Sequence, residues 1–276
     1  MIDEFARAVM LGIVQAVTEF LPISSSGHLV LAAEVVGRSV DTLTFDVALH
    51  LGTMVAVIGY FWRDWARMAG AVLYDLARHG PRMSRWSHPS RLALSIACAT
   101  LPAVAAGFLL QDVIDERLRR PEVVVATLIG FALVIGALDA WGGTVGRLAD
   151  MDLPRAFVVG IAQAVALVPG VSRSGITIAA ARGLGFDRPT AARFSFLLSA
   201  PAVLGAGVLQ FAGAMREPEP LAWGPLLVGA GVAAVAGALV IRGFLAFVSR
   251  RTLALFVWYR IALGLATLVA ILLGAL

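Results

Sequence analysis

Residues 21–28 read Leu-Pro-Ile-Ser-Ser-Ser-Gly-His, and residues 168–175 read Val-Pro-Gly-Val-Ser-Arg-Ser-Gly. Each stretch places helix breakers and small polar residues in the middle of a long apolar region, about 5–36 and about 155–184. The helices on either side have roughly 12–16 residues, about 18–24 Å at 1.5 Å per residue. A bilayer core is about 30 Å thick. Each region is therefore predicted to be re-entrant, a pair of half-helices that enters and leaves the membrane on one side.

The composition predicts a membrane protein. Apolar residues make up 59% of the 276 residues and charged residues only 14%, against about 25% charged in an ordinary soluble domain. The formal net charge of +4 is modest; in a membrane protein it concerns orientation, and no nucleic-acid partner is expected. Six apolar runs are long enough to be spans. These are residues 45–62, 92–111, 122–141, 190–213, 223–247 and 253–274.

Basic residues orient these spans. The longest connection, 63–91, contains six arginines and two aspartates, and Arg250 and Arg251 form a second basic turn. The positive-inside rule predicts that both lie in the cytoplasm. With six spans, both termini then lie outside. The first re-entrant segment opens outward, and the second opens to the cytoplasm.

The two broken segments also match each other in sequence. Residues 12–17, Gly-Ile-Val-Gln-Ala-Val, correspond to residues 160–165, Gly-Ile-Ala-Gln-Ala-Val, at an offset of 148. Each half of the chain, 1–150 and 151–276, contains one re-entrant segment and three spans, and an odd number of spans reverses the second half. The sequence therefore predicts an all-α polytopic membrane protein. Its six transmembrane helices and two re-entrant helix pairs form an inverted-topology repeat, whose tips meet near the midplane.

The two tips differ in their ionisable residues. The first carries Glu19, Ser25 and His28, and the second carries Arg173 at the position that matches Ser25. Ionisable groups at membrane depth are costly and by default mark a functional site. Gln15 lies four residues before Glu19, so the two share a helix face. A carboxylate, a hydroxyl, an imidazole and a guanidinium together predict a site for a phosphate or diphosphate.

Small residues of both tips are predicted to bind the anion. Free N–H groups at a helix N-terminus favour negative charge, and an arginine fork suits phosphate. A serine in such a place could instead cap its helix. His50, a lone histidine in a predicted span, is interpreted as structural. The predicted substrate-binding residues are Ser24, Ser26, Gly27, Gly170, Ser172, Ser174 and Gly175.

At residues 15–28 and 169–175 the chain resembles the undecaprenyl-diphosphate phosphatase family, bacterial membrane enzymes linked to bacitracin resistance. The resemblance extends over essentially the whole chain. It implies hydrolysis of undecaprenyl diphosphate to undecaprenyl phosphate and phosphate, which recycles the lipid carrier for peptidoglycan synthesis. It also implies a divalent cation, Mg²⁺ or Ca²⁺, and an active site on the periplasmic side of the bacterial inner membrane.

The same resemblance puts Glu19, Ser25, His28 and Arg173 on the family's catalytic positions. Glu19 is the expected metal ligand, with Gln15 beside it where the family has Glu or Gln. The nucleophile stays open between Ser25, His28 and water.

The competing hypothesis is a polyprenyl-phosphate transporter or flippase, because inverted repeats with broken helices are the usual transporter plan. A cluster of acid, hydroxyl and imidazole favours the enzyme, since carrying a lipid needs no nucleophile. The oligomeric state, a homodimer included, stays open.

Overall fold

The computed structural model describes residues 4–25, 28, 43–110, 118, 120–143, 146–214 and 223–273. This part of the chain is helical, with two short 3₁₀ turns at Met83–Arg85 and Leu148–Asp150 in the connections. Its α-helices are α1 (Glu4–Phe20), α2 (Leu43–Tyr60), α3 (Trp62–His79), α4 (His88–Leu109), α5 (Pro121–Trp141), α6 (Leu153–Val165), α7 (Arg173–Gly183), α8 (Arg188–Ala214), α9 (Trp223–Val248) and α10 (Ala254–Leu272).

Several of these helices can cross a membrane. By length and composition α4, α5, α9 and α10 pass, and the α2–α3 pair adds a fifth if its 72° bend is counted within one span. The chain is therefore an all-α polytopic membrane protein. Helices α2 and α8 cover the other two predicted spans, so a total of six spans stays a prediction.

The connection predicted at 63–91 is helical over most of its length. Helix α3 buries Met68 on one side and turns its arginines outward, which is the pattern of an amphipathic surface helix. Asp75, near its end, accepts hydrogen bonds from the Ser87 backbone N–H at 2.8 Å and the Ser90 hydroxyl at 2.7 Å. These bonds tie α3 to the start of α4.

Both predicted breaks are present. Helix α1 has 17 residues and α6 has 13, about 26 and 20 Å long, so both are shorter than the bilayer core. Helix α7 begins at Arg173 directly after the second break, with Ser172 as its N-cap, and the Ser172 hydroxyl accepts from the Gly175 N–H at 3.3 Å. The half-helix predicted after the first break falls largely outside the described residues, of which Ser25 and His28 are helical.

The two broken segments pack on the opposite half of the chain in a corresponding way. Helix α1 lies on α9, and α6 lies on α4. A Cβ atom at Gly12 would lie 2.7 Å from the Gly229 carbonyl oxygen, and one at Gly160, 148 residues later, would lie 2.5 Å from the Ala99 carbonyl oxygen. Only glycine lets the helix backbones approach this closely at either place.

A buried ion cluster joins the end of α5 to the connections before α8 and α10. Asp139 Oδ1 accepts from Arg182 Nε at 3.2 Å and from Arg188 Nε at 2.7 Å, and its Oδ2 accepts from the Leu253 N–H at 2.9 Å. Arg182, only 2% exposed, also donates to backbone carbonyls. The charge of this buried guanidinium is thus matched by a carboxylate.

Candidate active site

The two breaks are in direct contact. The Ser174 hydroxyl donates to the Leu21 carbonyl at 3.0 Å, and Arg173 Nη2 donates to Glu19 Oε1 at 2.6 Å. A Cβ atom at Gly175 would lie 3.3 Å from Cβ of Pro22, so the two segments are also closely packed here. The side chains that the sequence singles out on separate segments therefore share one site.

The carboxylate of Glu19 is the centre of this site. Glu19 is 7% exposed and lies on the same buried face of α1 as Gln15. Besides Arg173, it accepts a hydrogen bond from Gln15 Nε2 at 3.3 Å, and its Oε2 lies 3.7 Å from His50 Nε2. The Ser25 side chain also interacts with this carboxylate. Removing one partner from such a buried ion pair costs about 3–5 kcal/mol, so this arrangement couples the two tips.

His50, interpreted as structural from the sequence, lies against the carboxylate. Its Nδ1 is 2.8 Å from the carbonyl oxygen of Asp46, four residues earlier. A carbonyl only accepts, so Nδ1 donates to it, and Nε2 faces Glu19. A proton or a cation between these two atoms would bind both. The sequence does not place His50 in the site, because α2 is remote in sequence from both breaks.

For the phosphate release that the family resemblance implies, replacing His50 by Leu should lower kcat about ten- to a hundredfold, because Glu19 Oε2 would lose a proton-exchanging neighbour. Gln at this position can donate to the carboxylate and should retain more of the rate. Steady-state kinetics on a polyprenyl diphosphate provides the measurement. His88→Leu is the matched control, because His88 is an exposed histidine. This change should leave kcat unchanged. An unchanged kcat in His50→Leu would remove His50 from the site.

His28 has both ring nitrogens engaged. Nδ1 lies 2.7 Å from the Ser24 carbonyl oxygen, and Nε2 lies 2.6 Å from the hydroxyl of Tyr259 on α10. Since the carbonyl only accepts, Nδ1 donates and the Tyr259 hydroxyl donates to Nε2. The rings also stack, with centroids 5.6 Å apart. Tyr259, absent from the predicted site, therefore holds the imidazole of the first tip.

The backbone is strained at the same position of both tips. Ser24 and Ser172, 148 residues apart, have φ values of 77° and 72°. Left-handed conformations are uncommon for residues other than glycine, and strain of this kind clusters at ligand sites. Both serines are buried, so the surrounding helices hold each tip in this shape.

The turn of the second tip is held from two helices. The Thr127 hydroxyl on α5 donates to the Pro169 carbonyl at 2.6 Å, and Arg260 Nη2 on α10 donates to the Gly170 carbonyl at 2.8 Å. Gly170 has a φ of 88°. Neither partner is among the sequence-predicted residues. The sequence does distinguish Arg260, because it is the only Asp, Glu, Lys or Arg in the predicted span 253–274.

The predicted anion-binding residues divide into three groups. Ser26 and Gly27 lie outside the described residues. Ser172 and Ser174 are engaged in a helix cap and in the cross-tip bond to Leu21. Ser24, Gly170 and Gly175 shape the backbone, through positive φ or close packing. The described members therefore build the tips. The charged group of the second tip is Arg173, whose Nη1 is buried without a hydrogen-bond partner in the described part.

The residues present fit a cation only in part. In the described part of the chain, no three His, Cys, Asp or Glu side chains are grouped to hold a metal. Glu19 Oε2 and the buried, unpartnered Oε1 of Gln15 offer two oxygen ligands. Mg²⁺ is commonly bound by one or two carboxylates together with substrate phosphates. The donor set therefore suits a cation that arrives with a phosphorylated substrate.

The chain is similar to known proteins over nearly its whole length. The chain is 46% identical over 273 residues to an undecaprenyl-diphosphatase of Rubrobacter xylanophilus, covering 98% of both chains. It is 44% identical over 268 residues to one of Desulforudis audaxviator, covering 97% of this chain and 98% of the relative. Residues 8–266 match the family described as bacitracin resistance protein BacA. A match that covers nearly the whole chain shows that the chain belongs to the BacA bacitracin resistance family.

Proposed function

We propose that this chain hydrolyses undecaprenyl diphosphate to undecaprenyl phosphate and inorganic phosphate within the membrane, which recycles the lipid carrier for peptidoglycan synthesis. The observation that carries the proposal is the contact of Arg173 with Glu19 across the two tips, with Ser25 on the same carboxylate. The relatives' name, undecaprenyl-diphosphatase, supports the activity. All these site residues come from one chain, so a second copy is not required.

Arg173 is assigned to the diphosphate. One edge of its guanidinium holds Glu19 through Nη2, while Nη1 has no partner among the described residues. An arginine fork binds phosphate oxygens bidentately, so a diphosphate would compete with Glu19 for this group. Binding would then loosen the ion pair and leave the carboxylate more able to accept a proton.

Ser25 is assigned as nucleophile and Glu19 as its base. The serine side chain interacts with the carboxylate, and a nucleophile is activated by a base beside it. Serine Oγ attacks the terminal phosphorus and gives its proton to Glu19, while the bond to the bridging oxygen breaks and undecaprenyl phosphate leaves. Water then hydrolyses the phosphoserine. His28, held by Ser24 and Tyr259, serves proton transfer in this scheme.

A rapid-quench experiment separates the candidate nucleophiles. A phosphorylated peptide carrying Ser25 would support the assignment. A phosphohistidine at His28 would replace it, and the absence of any phosphoenzyme would favour direct attack by water.

The topology is assigned from charge and repeat. Six spans and two re-entrant pairs in an inverted repeat are supported by the matching strain of Ser24 and Ser172 and by the matching glycine contacts of α1 and α6. The two halves are 1–150 and 151–276. Arginines of α3 and of the turn at 250–251 assign the cytoplasmic side. The first tip, with Glu19 and Ser25, then opens to the periplasmic face of the inner membrane.

Glu19 and Gln15 would hold a divalent cation, Mg²⁺ or Ca²⁺, through their side-chain oxygens. When bound, it would neutralise charge on the diphosphate. Gln15→Glu adds a second carboxylate, so the cation concentration for half-maximal phosphate release should fall about tenfold. Gln163→Glu, the change at the matching buried position of the other half, is the control and should leave that concentration unchanged. An unchanged concentration in Gln15→Glu would remove Gln15 from the metal site.

The function is tested with purified protein in lipid vesicles. Phosphate release from a C15 or C55 polyprenyl diphosphate, dependent on added Mg²⁺ or Ca²⁺, is the expected result. Movement of a labelled polyprenyl phosphate across the bilayer without phosphate release would favour the flippase instead. Glu19→Gln removes the base and the counter-charge of Arg173, so it should abolish release in protein that still elutes as a folded species.

A further inference from the structure

Two arginines are fully buried in the described part of the chain, and they differ in how their charge is compensated. Arg182 is paired with Asp139 at 3.2 Å. Arg260, with 0% of its surface exposed, has no carboxylate partner among the described residues. Its hydrogen bonds go to the carbonyl oxygens of Gly170, Thr127 and Leu128. Carbonyl dipoles offset only part of a buried positive charge.

Arg260 lies between the two tips. Its Nη2 holds Gly170, three residues before Arg173. Its charge also interacts with His28, three residues after Ser25. The preceding residue on α10, Tyr259, bonds to that histidine directly. One turn of α10 therefore contacts the first tip through Tyr259 and the second through Arg260.

The charged groups that the structure describes at the site carry one positive charge in excess. The Glu19 carboxylate and the Arg173 guanidinium compensate each other at 2.6 Å, so Arg260 contributes a net positive charge beside them. Its Nη1 is buried and has no hydrogen-bond partner in the described part. A buried charge without a counter-charge is costly and within a membrane indicates function. A lipid diphosphate carries roughly two or more negative charges at neutral pH and would supply the missing counter-charge.

We propose that Arg260 is a positioning residue for the diphosphate: it fixes the second tip through the Gly170 carbonyl and provides the positive charge that the bound anion balances. The proposal rests on the proposed function and adds to it. It explains why Arg182 is paired with a carboxylate whereas Arg260 has none among the described residues. It also predicts selectivity, because a diphosphate needs the additional charge more than a monophosphate does.

Two substitutions separate charge from hydrogen bonding. Arg260→Gln keeps an N–H donor for Gly170 but loses the charge, whereas Arg260→Lys keeps both a donor and the charge. The probes are farnesyl methylenediphosphonate, a non-hydrolysable diphosphate, and farnesyl phosphate. The Kd of the diphosphonate should rise about tenfold or more in Arg260→Gln and less than about threefold in Arg260→Lys. The Kd of farnesyl phosphate should change less in Arg260→Gln. Correspondingly, KM for the hydrolysable lipid should rise more than kcat falls.

Arg188→Gln is the matched control, because Arg188 is a partly buried arginine at the Asp139 cluster; its Kd values should equal those of wild type. Equal effects of Gln and Lys at position 260, or equal effects on both lipids, would overturn the proposal and leave Arg260 a structural residue. If Arg260→Gln does not fold, Arg260→Lys decides alone, since a large loss of diphosphonate affinity with the charge retained contradicts the proposal. Failure of the wild-type protein to bind the diphosphonate or release phosphate would instead refute the proposed function.

Discussion

Arg173→Ala should lower phosphate release from a polyprenyl diphosphate about a thousandfold or more, because an arginine that stabilises charge on a transferring phosphoryl group contributes on that scale. Arg173→Lys retains the charge but not the planar fork, so a smaller loss, about ten- to a hundredfold, is expected. The measurement is kcat/KM for release, with the variants purified in the same detergent.

The loss has to be separated from unfolding, because removal of Arg173 leaves Glu19 buried without its charged partner. That alone should destabilise the protein by about 3–5 kcal/mol. The double variant Arg173→Ala with Glu19→Gln removes both charges and should recover most of the thermal stability while remaining inactive. If the double variant regains phosphate release, or if Arg173→Ala retains more than about a tenth of the wild-type rate, the role assigned to Arg173 is wrong.

Gly170→Ala should reduce phosphate release about a hundredfold or more and lower the thermal midpoint. Alanine is strained at a φ of 88°. Its Cβ would also overlap the Thr127 hydroxyl and lie 2.8 Å from the Val124 carbonyl oxygen. To relieve this overlap, the turn has to move away from α5. Arg173, three residues later, would move with it. A misplacement of about 1 Å at a catalytic group can cost about a hundredfold in rate.

Gly130→Ala is the control for this change. Gly130 lies on α5, the helix that also carries Thr127, and a Cβ there meets nothing within 4 Å. Alanine in a helix interior is favourable relative to glycine, so both rate and thermal midpoint should stay at or slightly above wild type. Wild-type activity in Gly170→Ala would show that the second tip tolerates displacement. It would contradict a role for the close packing of Gly170 against Thr127 and Val124.

The sequence allows the two breaks and the meeting of the two tips to be predicted, because the breaks depend on a local pattern and the meeting depends on the internal repeat. Proline and glycine clustered with small polar residues interrupt a helix, whereas the single prolines Pro102 and Pro201 lie within helices. A 148-residue offset aligns the tips without any knowledge of packing. Gln15 and Glu19 share a face because they are four apart, and the structure places both on the buried side of α1. Arg173 could be matched to the first tip from the repeat alone.

The remaining site residues depend on packing between helices far apart in the chain. His50 reaches Glu19 from α2, and Thr127 and Tyr259 reach the tips from α5 and α10. Threonine and tyrosine are common in membrane helices, so periodicity cannot distinguish Thr127 and Tyr259. His50 is a rarer type, but its contact with Glu19 depends on the packing of α2. Arg260 is different: a lone arginine in an apolar span is a signal in the sequence, and only its target, Gly170, requires the structure.

The central claim, that the two broken segments form one catalytic site through Glu19 and Arg173, is tested most directly by a double-mutant cycle. Glu19→Asp and Arg173→Lys both keep their charge and should leave measurable phosphate release. Residues that act as a unit lose little more together than the worse of the two alone. The account predicts that kcat/KM of the double variant lies within about threefold of the slower single variant. Losses that simply multiply would contradict it, because Glu19 and Arg173 would then act independently.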